Sequence, residues 1–529
     1  MIGLTRRDFV AGIGASGGVR LWGAMPGSCL GDRPNLRFGV LSDLHVRVTK
    51  DDNGTSGGTE TFEHALEYFR ERAVDVVMIA GDLSDLGLGD ELLYVAAAWR
   101  KVFPDNRAPD GRKVEKIFII GNHEHHAFVY GQDAMRKIYH GDEKEVRRQL
   151  VMADPEGWWE RAFDEPYERF GHKCVNGYDF LSAHWDGNVR ITSEVSFEAM
   201  KKDLSLRRES FAENLQVWMG RYGHELDPRK PFFYQQHRSL WNTTYGDWAW
   251  NHDDGRVTKI LSAYPNAVSF SGDTHYSLTD SRSVWQGAFT AFGTASLRYG
   301  GIPDESRAGA AYENGFCRPE SRDGLDPQKT MQPYDSTKCR QGMVFSVYDD
   351  RMVVERRDFL CDRPLGDDLV VPLPVARSAK PYGFETRKAK ARRLSFVRNA
   401  QLIVRRGKSK NRHGDKVDVL EIVIPPVEQT ANDRCLEYAV TVYGKDGAKA
   451  EFNVLQNGFD RPITHPRALG PTIFSVAVNR LPLEMSRLEV VPLDCWWNRG
   501  EALTSRICSD SDPGVPLASA RIDSQKKGE

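Results

Sequence analysis

Five short segments carry the side chains that can do chemistry: Asp43-Leu44-His45, Gly81-Asp82-Leu83-Ser84-Asp85, Gly121-Asn122-His123-Glu124, His237, and Gly272-Asp273-Thr274-His275. Carboxylates, imidazoles and an amide are hard-oxygen and borderline-nitrogen ligands. That set suits manganese, iron or zinc rather than a thiolate-bound cluster. Two divalent ions about 3.5–4 Å apart need one carboxylate that can bridge them, with imidazole and amide groups completing each shell. Such a pair generates hydroxide at neutral pH and clamps a phosphoryl group, so the ligand types point to metal-assisted hydrolysis of a phosphate ester. Alone, Asn122-His123 is equally good turn chemistry. Its weight comes from the segments before and after it.

Each segment is positioned by an element that precedes it. Arg37 to Ser42 reads as a strand, and alternation puts Asp43 and His45 on one side if the strand persists. Phe62, Ala65, Leu66 and Phe69 have helical spacing. Val76 to Ala80 is a second strand, and a helix over about Glu91 to Phe103 leads to a third, Ile117 to Ile120. Short continuous apolar runs bounded by Gly predict buried parallel strands. The order is βαβαβ, with polar residues at the carboxyl ends, where open α/β sheets place their ligands. Phe232 to Gln236 ends in His237, and Ala267 to Ser271 ends in the Gly272–His275 segment.

The succession DxH, GDxxD, GNHE, a lone His after a strand, then GDTH resembles the calcineurin-like metallophosphoesterase family over about residues 36–360. The resemblance implies an α/β (α+β) fold, a two-sheet sandwich flanked by helices, and a centre of two divalent ions, manganese, iron or zinc. By it, Asp43, His45 and His275 bind the first metal, Asp82 bridges both, and Asn122 and His237 bind the second. His123 would lie over the phosphoryl group, stabilising the transition state or protonating the leaving oxygen, with Glu124 or another carboxylate orienting it. The departure is Asp273: the family usually has GHxH here, and its first His ligates the second metal. We assign Asp273 to that metal, although Asp is shorter than His and falls short unless the loop shifts. A degenerate phosphoesterase scaffold with one metal or none, acting as an extracytoplasmic ligand- or carbohydrate-binding protein, stays open on this residue. Asp85 reads as a turn or supporting residue, His125 and His126 as rim residues, and His184 as a candidate support for the ligands.

Between Ala127 and Gly177 the sequence reads as a helical insert with Trp158, Trp159, Tyr167 and Phe170, either shaping substrate access or simply packing. Trp241, Tyr245, Trp248 and Trp250 follow His237, and either bind a nucleoside or sugar ring or pack. Met343–Tyr348 and Met352–Arg357 read as a hairpin closing the first domain. Residues 361–380, with Val371-Pro372-Leu373-Pro374, read as a linker. Short strands with a Gly444-Lys445-Asp446-Gly447 turn then predict an all-β immunoglobulin- or fibronectin-like sandwich over 381–510. Arg405 to Lys410 reads as a solvated basic loop, and 511–529 as a disordered tail.

A length of 529 residues with 40% apolar side chains allows a sizeable core and two domains. A net charge of -2 gives no argument for a nucleic-acid partner; the ligand types make a small phosphate ester the expected one. No apolar run past the N-terminus reaches transmembrane length, predicting a soluble body without an anchor. Residues 1–30, with Thr5-Arg6-Arg7-Asp8-Phe9-Val10, resemble a twin-arginine signal and predict export to the periplasm or beyond. Eight cysteines fit that compartment. Cys317 and Cys339 flank a Gly/Pro/Asp-rich loop and are candidates for a disulfide, with buried thiols the other reading.

Overall fold

Alternation within three apolar strands builds the first sheet. β1 (Leu36–Leu41), β2 (Val76–Ala80) and β3 (Glu115–Ile119) run parallel, with their apolar side chains divided between two buried faces. The computed structural model describes residues 33–48, 58–125, 136–149, 155–185, 210–246, 249, 252–302, 336–410, 416–463 and 469–507. The twin-arginine segment, Cys29, Cys317, Cys508, His126, Trp248, Trp250 and residues 511–529 lie outside the described residues.

Leu41, Val77, Ile79 and Phe118 face the crossover helices α1 (Thr59–Glu71) and α2 (Gly89–Val102). α1 buries Phe62, Ala65, Leu66 and Phe69, the stripe its spacing predicts. The opposite face of the sheet, Phe38, Val40, Met78 and Ile117, meets a second sheet. That sheet contains β4 (Phe170–Val175), β5 (Tyr178–Ala183), β6 (Phe232–Gln235), β7 (Ala267–Ser271), β8 (Val284–Gln286) and β9 (Thr290–Gly293), in the order β4-β5-β6-β7-β9-β8. β10 (Gln341–Val347) returns antiparallel beside β1, followed by β11 (Arg351–Asp358). Phe38 sits at the centre of the intersheet core, stacked on Phe345 at 4.8 Å and edge-on to Phe233 at 4.7 Å. Each buried Phe contributes about 1.5–3 kcal/mol, so this aromatic cluster holds the two sheets, and the strand ends, in register. Helices Phe211–Tyr222 and Arg256–Leu261 cover the far side of the second sheet. The result is the expected two-sheet sandwich flanked by helices.

Three expectations need correction. Residues 361–380 are not a free linker: β12 (Arg363–Pro364) and β13 (Leu369–Pro372) pair with β11, and Leu365, Val371, Leu373 and Val375 join the intersheet core. The prolines misled, because at a strand's end or on an edge a missing N–H costs no ladder bond. Among its described residues the insert is helical at 136–138, Glu143–Gln149 and Pro155–Phe163, and its last part is β4. Trp158 and Trp159 pack in the α1/α2 core rather than shape an entrance. The basic stretch Arg405 to Lys410 is strand, not loop, within Ile403–Lys410.

Beyond helix Phe384–Lys390 come β14 (Ser395–Phe396), β15 (Ile403–Lys410), β16 (Lys416–Ile424), β17 (Val427–Glu428), β18 (Glu437–Gly444), β19 (Lys449–Leu455), β20 (Thr472–Ala477), β21 (Met485–Leu493) and β22 (Leu503–Arg506). Sheets β15-β16-β20 and β19-β18-β21-β22 are antiparallel and share one core of Val404, Ile422, Phe474, Tyr438, Val440 and Leu488. This is a β-sandwich. β15 is an edge strand, and its Arg405 and Lys408 lie 4.0 and 3.8 Å from Glu421 and Asp418 of β16. Those exposed pairs add little stability, but cations along an edge discourage another chain from pairing there. Cys339 is a buried free thiol. No helix among the described residues is long and apolar enough to cross a membrane.

The sandwich also touches the loop after His275. Thr279 Oγ1 donates to Phe459 O at 2.8 Å, and Gln341 Nε2 donates to Asp460 O at 2.8 Å while its Oε1 accepts from Leu278 N at 2.8 Å.

Candidate metal centre

The carboxyl ends of β1, β2 and β3 meet those of β6 and β7, and every predicted ligand lies on one of these ends. Asp43, His45, Asp82, Asp273 and His275 all have positive φ, between 44° and 69°. Such conformations cost an L-residue about 1–3 kcal/mol and persist where the surroundings over-determine them. Asp and His tolerate them better than branched residues. Backbone bonds from Asp43 N to Gly81 O (3.0 Å) and Leu44 N to Asp82 O (2.8 Å) bind the first two loops together. The preceding glycines are required by space. A Cβ on Gly81 would collide with the His237 imidazole, and one on Gly272 with Ser42 Oγ, besides lying 2.7 Å from Asp43 Oδ2.

Asp43, His45, Asp82 and His275 bring their ligand atoms within 4.8 Å of one another, all buried. His275 Nε2 lies 2.9 Å from Asp43 Oδ1, and His45 Nε2 lies 3.2 Å from His275 Nε2 and 3.7 Å from Asp82 Oδ2. On the other side His237 Nε2 lies 2.9 Å from Asn122 Oδ1, 3.2 Å from Asp82 Oδ1 and 3.7 Å from Asp273 Oδ1. Asp82 therefore turns one oxygen to each group, which is what a bridging carboxylate must do.

The remaining ring nitrogens fix the tautomers. His237 Nδ1 donates to Ala80 O at 2.7 Å and His275 Nδ1 to Tyr299 O at 3.1 Å, since a carbonyl can only accept. His45 Nδ1 lies 3.1 Å from Asp85 Oδ1. Each Nε2 is thereby aimed at oxygens or another Nε2, contacts that need a proton or a cation between them. Outer groups holding Nδ1 are the usual support of a metal-ligating His. The electrostatics agree. Burial opposes a charge on His237, but Asp82, Asp43 and Asp273 outweigh it and hold its pKa well above the ordinary value. Burial pushes His45 down to about 4, helped by His123. Burial, with Asp82 and Asp43, pushes Asp273 up to about 6. A cluster of buried carboxylates that attracts positive charge fits divalent cations.

Asp273 reaches the second group despite its length. Its own N–H lies 3.3 Å from both Asp43 carboxylate oxygens, and the left-handed turn at φ 69° brings the loop in. We expect Asp273→Ala to leave one tightly held ion where the wild type holds two. Metal analysis after dialysis decides it, and equal stoichiometry would refute coordination by Asp273.

His123 is at the mouth, 18% exposed, with Nδ1 donating to Asp85 O at 2.8 Å and Nε2 3.9 Å from Asp82 Oδ2. Glu124 does not orient it. That carboxylate accepts from Ser84 N (2.7 Å), Ser84 Oγ (2.9 Å) and Gly121 N (2.5 Å), tying the β2 and β3 loops together. The adjacency of Glu124 to His123 in sequence misled, because the short 3-10 turn His123–His125 sends the two side chains to different neighbours. Asp85 has the larger role: it holds His45 through Oδ1 and Arg47 Nε through Oδ2, at 2.7 Å. Arg47 and Tyr299 escaped the sequence reading. Strand alternation does not account for Arg47, because the strand ends at Leu41 and both Asp43 and His45 are left-handed. Tyr299 stands 5.0 Å from His45 and 4.4 Å from His275, ring to ring, and no motif announces it. His125 is half-buried on Trp185 O at 3.3 Å. Tyr245 is buried against Tyr276, which is packing, while Trp241 is 42% exposed.

His184 supports the third loop. Its Nδ1 accepts from Ile120 N at 3.2 Å, so the ring must be neutral there, and burial pushes its pKa down to about 3. The unfolded value is about 6.5, so this contribution is complete above that pH and declines toward pH 3. Denaturant titrations should show a loss approaching 1.4 kcal/mol per pH unit in that window that His184→Gln lacks. Parallel profiles for the two proteins would contradict this.

The fold and cluster define a two-sheet α/β protein with Asp and His residues positioned to bind metal ions at its strand ends. Residues 36–277 match the family model of the calcineurin-like phosphoesterases. Similar solved structures include a dimetal phosphatase from Danio rerio, at 14% identity and TM-score 0.35, covering 64% of this chain and 99% of that one. Purple acid phosphatase PPD1 from yellow lupin is 11% identical with TM-score 0.35, covering 66% and 57%. Vps29 complexed with zinc from Entamoeba histolytica is 8% identical with TM-score 0.23, covering 64% and 99%. These likenesses are too weak to bear on the site. No curated protein matches the chain.

Proposed function

We propose that the protein hydrolyses a small phosphate mono- or diester with two divalent ions, manganese, iron or zinc. The observation that carries this is Asp82, whose two oxygens face His45 and His237 at 3.7 and 3.2 Å. Asp43, His45 and His275 would hold one ion, and Asn122, His237 and Asp273 the other, with Asp82 common to both. Such ions supply Lewis-acid charge for the phosphoryl oxygens and a nucleophile at neutral pH. His123, positioned by Asp85 O, offers Nε2 at the mouth to stabilise charge on the phosphoryl group or give a proton to the leaving oxygen. Asp85, Ala80 O and Tyr299 O keep the three ligand imidazoles in the binding tautomer. The reach of Asp273 speaks against a metal-poor binding scaffold. Turnover of p-nitrophenyl phosphate or bis-p-nitrophenyl phosphate with added manganese tests the reading. Neither ester being cleaved by metal-loaded protein would overturn it.

We also propose export by the twin-arginine route, on the strength of Thr5-Arg6-Arg7. Replacing both arginines with lysine should strand the precursor inside the cell, and normal secretion of that variant would count against the signal.

A further inference from the structure

Arg47 is a cation beside the candidate metal centre that the proposed chemistry leaves without a task. It stands two residues after His45, and Val46 between them forms an isolated parallel bridge with Ser84, which ties this loop to the one after β2. Its Nε donates to Asp85 Oδ2 at 2.7 Å, and Asp85 Oδ1 lies 3.1 Å from His45 Nδ1. One buried carboxylate therefore fixes both a metal-ligating imidazole and the direction of the guanidinium. Among the described residues Nε makes the only hydrogen bond of this side chain, which leaves the terminal nitrogens open. The side chain is 41% exposed, while Asp43, His45 and Asp82 beneath it are buried. Tyr299, whose ring flanks His45 and His275, is an electrostatic neighbour of the guanidinium on the same side of the mouth.

A guanidinium with a free, fixed donor edge is matched to two oxygens of a phosphate or carboxylate. We infer that Arg47 binds an oxyanion of the substrate and makes the site prefer a phosphomonoester dianion to a phosphodiester monoanion. The inference rests on reading the centre as a phosphoester hydrolase. The ester group itself carries the distinction. A diester has one negative charge, whereas a monoester has up to two at neutral pH, its second pKa being near 6. A fixed cation beside the ions rewards that second charge. An anchor that served only to hold Asp85 would treat both esters alike.

The test uses the full chain loaded with manganese, as wild type, Arg47→Gln and Arg47→Lys. Inorganic phosphate is titrated calorimetrically, bound metal is counted, and kcat/KM is measured for p-nitrophenyl phosphate and bis-p-nitrophenyl phosphate. Losing a charge-assisted contact should weaken phosphate binding about 10- to 100-fold in Arg47→Gln at unchanged metal content. Monoester efficiency should fall by a similar factor and diester efficiency by less than about threefold. Arg47→Lys keeps a cation near Asp85 without the fork and should fall between. Phosphate affinity within twofold of wild type in both variants, or an equal fall for the two esters, would overturn the inference. Loss of metal in both variants would do so too, assigning Arg47 to the support of His45. Phosphate binding that depends on Arg47 in a protein that cleaves neither ester would instead leave the anion site standing and refute the hydrolase.

Discussion

Asp82→Ala should lose both ions and all measurable turnover. Asp82 is shared: one oxygen faces His45 at 3.7 Å and the other His237 at 3.2 Å. Its removal takes a ligand from each ion and one negative charge from between two cations. Outer partners of metal ligands alone are worth about 10- to 100-fold in affinity, so losing a direct, bridging ligand should exceed that for each ion. The third loop loosens as well, because Asp82 Oδ1 accepts the His123 N–H at 2.9 Å. Elemental analysis after dialysis reads the result directly. Two retained ions per chain would remove Asp82 from the bridging position.

His123→Ala should behave in the opposite way, keeping its metals and losing rate. The ring is partly exposed, fixed through Nδ1 by Asp85 O and set edge-on to His45 with centroids 4.3 Å apart. Nothing in that geometry makes it necessary for holding an ion in the set around Asp82. A positioned acid or charge-stabilising donor is worth about two to four orders of magnitude in kcat. We expect a fall in that range with unchanged metal stoichiometry and little change in KM. Turnover equal to wild type would exclude His123 from the reaction.

Much of this was legible because the ligands sit where strands stop. Apolar runs such as Val76 to Ala80 and Ala267 to Ser271 mark buried strands, and the polar residues after them have few structural uses. The glycines before Asp82 and Asp273 strengthen the signal, since the site leaves no room for a Cβ at Gly81 or Gly272. What was not legible depends on long-range partners. Glu124 follows His123 directly, yet its bonds go to Ser84 and Gly121. Asp85 reads as a turn residue until the fold brings His45 and Arg47 to it. Tyr299 lies after a segment with no motif, and only tertiary packing sets it beside His275. In the C-terminal domain the alternating strands were clear, but Arg405 to Lys410 hid an edge strand because its exposed charges mask the period.

The central claim is that two ions bound in this one cluster perform ester hydrolysis. Metal-stripped protein titrated with manganese while phosphate release from a phosphoester is followed tests it most directly. Activity should rise to its plateau at two equivalents of bound ion per chain. A plateau at one equivalent, or two bound ions with no phosphate released, would contradict it.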